Sequence, residues 1–119
     1  MPVKVFSIVL LFLGEALSIF AELYFAGILL HSEISFKETI SVFVKMILII
    51  TLGGIFLLSG YYLGYFSFKN IWTISVVSLV AILIADPFLA YAFFKQIPER
   101  GAIVGFTLGI LGMIATFVL

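Results

Sequence analysis

Three short polar segments divide this 119-residue chain into four apolar runs, each long enough to form a membrane-spanning helix. The runs cover residues 5–30, 40–66, 70–94 and 101–119. A helix needs about 20 apolar residues to cross the hydrocarbon layer of a bilayer. Because the connecting segments are short, consecutive helices should run antiparallel beside one another. The pattern predicts an all-α integral membrane protein, a four-transmembrane-helix bundle that forms a single membrane domain over residues 1–119.

The composition excludes several classes of function. Hydrophobic residues make up 65% of the chain and charged residues 10%, and the mean hydropathy is +1.39. Soluble domains are only about half apolar. Six basic and six acidic residues balance, so a nucleic-acid partner is not expected. Cysteine is absent and His31 is the single histidine, so we expect neither a metal site nor another cofactor. We expect a multi-pass protein of the cell (inner) membrane, with the lipid bilayer as its surroundings.

Two glutamates, Glu15 and Glu22, lie within the first apolar run, which contains no basic residue. A carboxylate at membrane depth costs several kcal/mol unless it faces a bundle interior, a partner or water. The two residues are seven apart, which places them on one side of a helix about 10 Å from each other, with Ser18 between them. Low-dielectric surroundings favour a protonated carboxyl group, and so does a second negative charge nearby. Glu15, Ser18 and Glu22 are therefore candidate proton- and substrate-binding residues.

A structural role for these glutamates is the alternative. Glu15 would then stay protonated and form a hydrogen bond to a neighbouring helix, and Glu22 would reach the membrane surface. Asp86 precedes Pro87 in the third run, where a proline frees a backbone carbonyl and can open a polar cavity. Asp86 is thus a fourth candidate for proton or substrate binding, and the alternative is a hydrogen bond to a neighbouring helix.

Further polar and aromatic residues are candidates for lining a pocket. Ser75 and Ser78 lie one turn apart in the third run and can face the glutamates, although a serine can also bond its own helix backbone. Trp72 and Tyr62 either line the same pocket or belong to the aromatic belt at the membrane surface. The sequence offers no nucleophile with a matching base and acid, and no phosphate-binding loop. An enzyme is therefore not expected.

The fourth run carries four glycines at successive spacings of four, four and three residues. At about 100° per residue these positions fall within an arc of roughly 80°. Small residues placed in this way let another helix backbone approach closely, and such packing associates helices in lipid. We expect a helix-packing interface, either within one chain or between two chains. Its residues are Gly101, Gly105, Gly109 and Gly112, with Gly60 and Gly64 as a second pair in the second run.

The basic residues give only a weak bias for insertion of the chain. Lys4 and Lys69 fall on one side of the predicted bundle, whereas four others fall on the opposite side: Lys37, Lys45, Lys95 and Arg100. Positively charged loops tend to remain cytoplasmic, which favours both termini on the other side of the membrane. So small a difference is also compatible with insertion in both directions.

Four short-looped helices, a glutamate within the first and a glycine-lined fourth resemble the small multidrug resistance family of the drug/metabolite transporter superfamily. The clearest likeness is in the C-terminal half, in GYYLGYFSFKN at residues 60–70 and in AFFKQIPERGAIVGFTLGILGMIATF at residues 92–117. Glu15, in the context LGEAL, matches the place of that family's membrane glutamate, which binds protons and cationic substrate in competition.

This resemblance implies a small secondary transporter that exports a cationic or amphipathic small molecule in exchange for protons. Because four helices enclose little cavity alone, we also expect a homodimer, antiparallel in arrangement, or a heterodimer with a related subunit. Two alternatives remain open. One is a subunit of a flippase for lipid-linked sugars, which belongs to the same superfamily, and the other is a structural membrane subunit that does not transport.

Overall fold

The computed structural model describes residues 2–27 and 35–119 of the protein. These residues form four helices, α1 (Val3–Gly27), α2 (Phe36–Phe68), α3 (Ile71–Phe94) and α4 (Arg100–Val118). Each of the four is long and apolar enough to cross a membrane. The protein is therefore an all-α, multi-pass membrane protein with four helices, as the sequence predicts.

The helix boundaries differ from the predicted ones mainly at the start of α2. This helix begins at Phe36 rather than Ile40, because the side chain of Ser35 accepts a hydrogen bond from the backbone N–H of Glu38 at 3.2 Å. Such a cap satisfies a donor that the first helical turn leaves unpaired. With 33 residues, α2 is about 50 Å long, so its ends extend beyond a hydrocarbon layer of about 30 Å. Residues 28–30 of the first predicted span lie outside the described residues.

Both α2 and α3 end in the same way, at a lysine with a left-handed backbone. Lys69 has φ 62° and Lys95 has φ 56°. The N–H of Lys69 donates to the carbonyl of Tyr65, and the N–H of Lys95 donates to the carbonyl of Tyr91. These bonds satisfy carbonyl groups of the last helical turns and let the chain turn back into the membrane. Each ammonium group also lies over an aromatic ring, that of Phe66 for Lys69 and that of Tyr91 for Lys95.

The first helix is the centre of the bundle, since α1 packs along both α2 and α3. Leu11 of α1 and Ile74 of α3 are fully buried, and Val77 packs against them. Water does not drive helices together inside a bilayer, so close van der Waals contact and hydrogen bonds between helices must hold this arrangement.

Glycines bring the backbones of α1 and α2 into direct contact. A Cβ atom on Gly14 would lie 2.8 Å from the carbonyl oxygen of Gly53, and a Cβ on Gly53 would lie 3.0 Å from that of Gly14. Nearer the loop between α2 and α3, Gly60 packs against Leu11 and Gly64 against Ile74. Any larger side chain at these positions would move the helices apart, so the glycines fix both the distance and the rotation of α1 relative to α2.

The fourth helix lies at the edge of the molecule and packs chiefly on α3. None of its residues is buried. Its closest glycine contact is between Gly109 and Leu83, where a Cβ would lie 3.3 Å from the leucine side chain. The space where a Cβ would stand at the other three glycines is open within the chain: Gly101, Gly105 and Gly112. This surface is therefore available to another helix, and the predicted α4 interface stays a prediction.

Candidate functional site

Glu15 lies at the midpoint of α1, with twelve helical residues on either side of it. At 1.5 Å per residue, about 18 Å of helix separates its backbone from each end. The side chain is half-buried and points to the seam between α1 and α3. The carboxyl group is thus near the centre of a predominantly apolar helix, where a charge is most costly.

Ser78 of α3 holds this carboxyl group. Its hydroxyl donates a hydrogen bond of 2.6 Å to Oε1 of Glu15, and the serine is only 5% exposed. Hydrogen bonds between oxygens are most often about 2.7–2.8 Å long, so this contact is short. Within residues 2–27 and 35–119, it is the only hydrogen bond that joins two side chains. Ser78 is therefore a specific partner for Glu15, one that the sequence offered only as a candidate.

The other oxygen of Glu15 is free to bind a further group. The structure shows one hydrogen bond to this carboxyl group from the described residues, and it reaches Oε1. No buried side-chain oxygen or nitrogen in the described part of the chain lacks a partner, so Oε2 is not sealed inside the bundle. An open oxygen beside a fixed one can accept a proton or a cationic group without disturbing the contact to α3.

A separate aromatic cluster joins α1 to α3 toward the C-terminal ends of both helices. The rings of Phe20 and Tyr24 stack at 5.9 Å, and Phe93 of α3 packs against them at 5.4 Å and 6.3 Å between centroids. Phe20 is five residues, or about 7.5 Å of helix, beyond Glu15. The sequence analysis did not single out these three residues. Their signal was the spacing of four between Phe20 and Tyr24, which places both rings on one side of α1.

Glu15, Ser18 and Glu22 of the predicted row have different surroundings in the structure. The hydroxyl of Ser18 donates to the carbonyl oxygen of Gly14 at 2.9 Å and packs against Gly53 of α2. Glu22 is exposed and borders an apolar crevice of about 250 Å³ between α1 and α2, where Phe43 and Met46 are among the lining residues. The three residues share one side of α1, but α2 and α3 meet there. Ser18 therefore packs on α2, whereas Glu15 bonds to α3.

Asp86 lies in another cavity, between α3 and α4. It is half-buried, and α3 continues through Pro87 as far as Phe94. Along α3, Asp86 is eight residues beyond Ser78, which is about 12 Å of helix. The structure thus separates Asp86 from the Glu15–Ser78 contact, and its role in proton or substrate binding stays a prediction.

The remaining pocket candidates have different surroundings. Ser75 is half-buried, one turn before Ser78 on α3. Trp72 and Tyr62 are 75% and 74% exposed. Such exposure agrees with the alternative of an aromatic belt facing the membrane surface. His31 lies outside the described residues.

Taken together, the geometry offers a carboxyl group at the centre of a membrane helix with one oxygen fixed and one open. Chemically, such a group can bind a proton or a cation. Comparison of the chain with protein-family models, curated proteins and solved structures found no match.

Proposed function

We propose that this protein is a small secondary transporter that exports a cationic or amphipathic small molecule in exchange for protons, and that Glu15 binds both. The observation that carries the proposal is the position of Glu15 at the midpoint of α1 with one oxygen held by Ser78 and the other open. A carboxyl group that served only to join two helices would be sealed between them, because an unpaired polar atom in lipid is costly.

Competition between a proton and a cation follows from the low dielectric of the site. A lone carboxylate at this depth is strongly disfavoured, so the group is neutralised either by a proton or by a bound cation. The hydroxyl of Ser78 holds Oε1 in this structure, and the same bond can form whether Glu15 is protonated or ionised. Binding of the cation then requires release of the proton, and this is the coupling step of an exchanger.

A second subunit would complete the cavity around Glu15. The chain places α1 between α2 and α3 and leaves α4 at the edge, with three of its glycines facing open space. A homodimer, antiparallel or parallel, or a heterodimer with a related chain would bring two such carboxyl groups to a shared cavity. Rocking of the two bundles would open this cavity to each side of the membrane in turn.

The first test is proton release from the detergent-purified protein when hydrophobic cations are added. We expect the wild type to release protons with at least one cation of a panel, and Glu15→Gln to release none because its amide cannot be deprotonated. Glu38→Gln is the matched control, because Glu38 is an exposed acid in the first turn of α2. It should release protons as the wild type does.

Either of two results would contradict this function. The first is an equal release of protons by Glu15→Gln and the wild type. The second is the absence of release from folded wild-type protein across the whole panel. Absence of release would favour a flippase subunit for lipid-linked sugars or a structural membrane subunit. In the structural case Glu15→Gln should still assemble with its partner.

A further inference from the structure

A second cavity lies between α3 and α4. It has a volume of about 300 Å³ and is formed by the last third of α3, the loop that follows and the first half of α4. Two acidic residues, one on α3 and one at the start of α4, are among the residues that border it. Asp86 lies eight residues before the end of α3, and Glu99 stands at the start of α4. The proposed transport site at Glu15 does not include this cavity.

The two carboxylates are not used to hold the fold together. Glu99 precedes α4 in the capping position, yet its side chain makes no capping hydrogen bond. No side-chain hydrogen bond to Asp86 occurs within the described residues, and no buried side-chain oxygen among them lacks a partner. The oxygens of Asp86 are therefore open to the cavity. None of the eleven residues that border the cavity is basic.

Aromatic and apolar surfaces form the rest of the wall. Tyr91, Phe94 and Phe106 contribute rings, and Pro87 and Ile97 contribute apolar contacts. The face of an aromatic ring attracts cations. Apolar walls with a few converging polar groups are typical of small-molecule sites, whose volumes start at about 300 Å³. The wall is thus suited to a small ligand that has both a positive charge and an apolar part.

A cation from the protein itself already lies at this wall. The ammonium group of Lys95 stands 5.5 Å from the centre of the Tyr91 ring, and Lys95 is the exposed residue that ends α3. Lys95 is not among the residues that border the cavity, but its position shows that the Tyr91 ring can hold an ammonium group. A ligand with the same charge would compete with Lys95 for this ring.

We propose that the cavity between α3 and α4 binds a small organic ammonium ion. The positive charge lies between Asp86 and Glu99, and the apolar part of the ion rests on the aromatic wall. The ammonium group belongs either to a free small molecule or to a lipid headgroup. This site does not depend on transport through Glu15.

The test is calorimetric titration of the full-length protein in detergent with benzyltrimethylammonium. Neopentylbenzene, which has the same shape without the charge, is the control ligand and should bind at least about tenfold more weakly. Asp86→Asn should weaken binding of the cation about tenfold, because the acid is half-buried, and Glu99→Gln should weaken it about threefold because that acid is exposed. In this test the reference protein and every variant carry Glu15→Gln, so that cation bound at the proposed transport site does not contribute. Glu38→Gln, at an exposed acid of α2 outside the cavity, should leave the affinity unchanged.

A lysine pair provides a matched control for the role of Lys95. Lys95→Gln should strengthen binding about threefold, since it removes the competing ammonium group from Tyr91. Lys69 ends α2 with the same left-handed backbone and lies over Phe66, away from the cavity. Lys69→Gln should leave the affinity unchanged. If both variants change it equally, the effect is one of net charge and the proposal is wrong.

The charge variants could lose binding because they fold poorly, so a variant that leaves the charges in place is also needed. Ala102→Leu fills the cavity from an exposed position on α4. It should abolish binding while retaining wild-type helix content and thermal stability. The site would be disproved by reference-protein affinity in Asp86→Asn or Ala102→Leu, or by equal binding of the neutral ligand.

Measurements in nanodiscs of two lipid compositions distinguish the two sources of the ammonium group, a free small molecule and a lipid headgroup. Probe binding that persists in phosphatidylcholine assigns the site to free ions, and probe binding lost there but present in phosphatidylglycerol assigns it to the choline headgroup.

Discussion

At the scale of single residues, the contact between Glu15 and Ser78 is the feature that distinguishes this bundle. The other serine and threonine hydroxyls that form hydrogen bonds in the described part donate to a carbonyl of their own helix or its cap. Ser78 instead reaches across to another helix. Because the Ser78 hydroxyl bonds to Glu15 rather than to a carbonyl of its own helix, it fixes the position of the Glu15 carboxyl group.

We therefore predict that Ser78→Ala destabilises the protein through Glu15. Hydrogen bonds between membrane helices contribute about 0.6 kcal/mol on average and at most about 1.7 kcal/mol, so unfolding in dodecyl sulfate should become easier by an amount in that range. In a double-mutant cycle with Glu15→Ala, which removes the acceptor, the two effects should not add. Ser75→Ala, one turn away, is the control and should add fully with Glu15→Ala. Additive effects of Ser78→Ala and Glu15→Ala would disprove the contact.

At the scale of helices, the contact of α1 with α2 depends on a few glycines, Gly14 and Gly53 among them. Gly53 and Gly54 are neighbours on α2, yet Gly53 touches the backbone of Gly14 whereas Gly54 has open space beside it. Spacing alone cannot tell the two apart, because each is a glycine in the same apolar run. Only the rotation of α2 about its axis decides which of them meets α1.

This pair makes a sharp prediction about packing. Gly53→Ala would place a Cβ 3.0 Å from the carbonyl oxygen of Gly14, so α1 and α2 must separate, at a cost of about 1–3 kcal/mol in unfolding free energy. Gly54→Ala meets no neighbour and should leave stability unchanged or raise it slightly, since alanine favours a helix. Thermal unfolding in detergent would measure both. Equal stability of the two variants would show that the helices are not in backbone contact at Gly53.

At the scale of the whole molecule, α4 has few contacts with the other three helices. No residue of α4 is buried, and three of its four glycines have open space where a side chain would stand. In a bilayer such a surface is covered either by lipid or by another helix, and small residues in a row favour a helix. The homodimer that we propose would use this surface of α4.

The dimer prediction is that Gly105→Leu disrupts association without unfolding the chain. Leucine fits in the open space beside Gly105 within one chain, so helix content and thermal stability should remain those of the wild type. The same side chain would keep a second helix backbone at a distance, and sedimentation in detergent should then show monomers. Ile114→Phe, at an exposed position on another side of α4, is the control and should still form dimers. Monomeric wild-type protein, or dimeric Gly105→Leu, would contradict this interface.

The amino-acid sequence by itself determined the fold class, the number of helices and most of their boundaries. Transfer of an apolar run into hydrocarbon is favourable whatever its neighbours are, so the four spans can be found locally along the chain. The start of α2 was predicted four residues late, because the cap at Ser35 extends the helix into the polar segment.

Only the tertiary structure decided which side of each helix meets which neighbour. Periodicity places Glu15, Ser18 and Glu22 on one side of α1, but that side borders both α2 and α3. The backbone contact of Gly14 with Gly53 sets the rotation of α1. This rotation turns Glu15 to Ser78 and leaves Ser18 on its own helix, and Asp86 falls to a cavity with α4. Packing among helices depends on all of them at once, and for that reason no single segment of the sequence contains it.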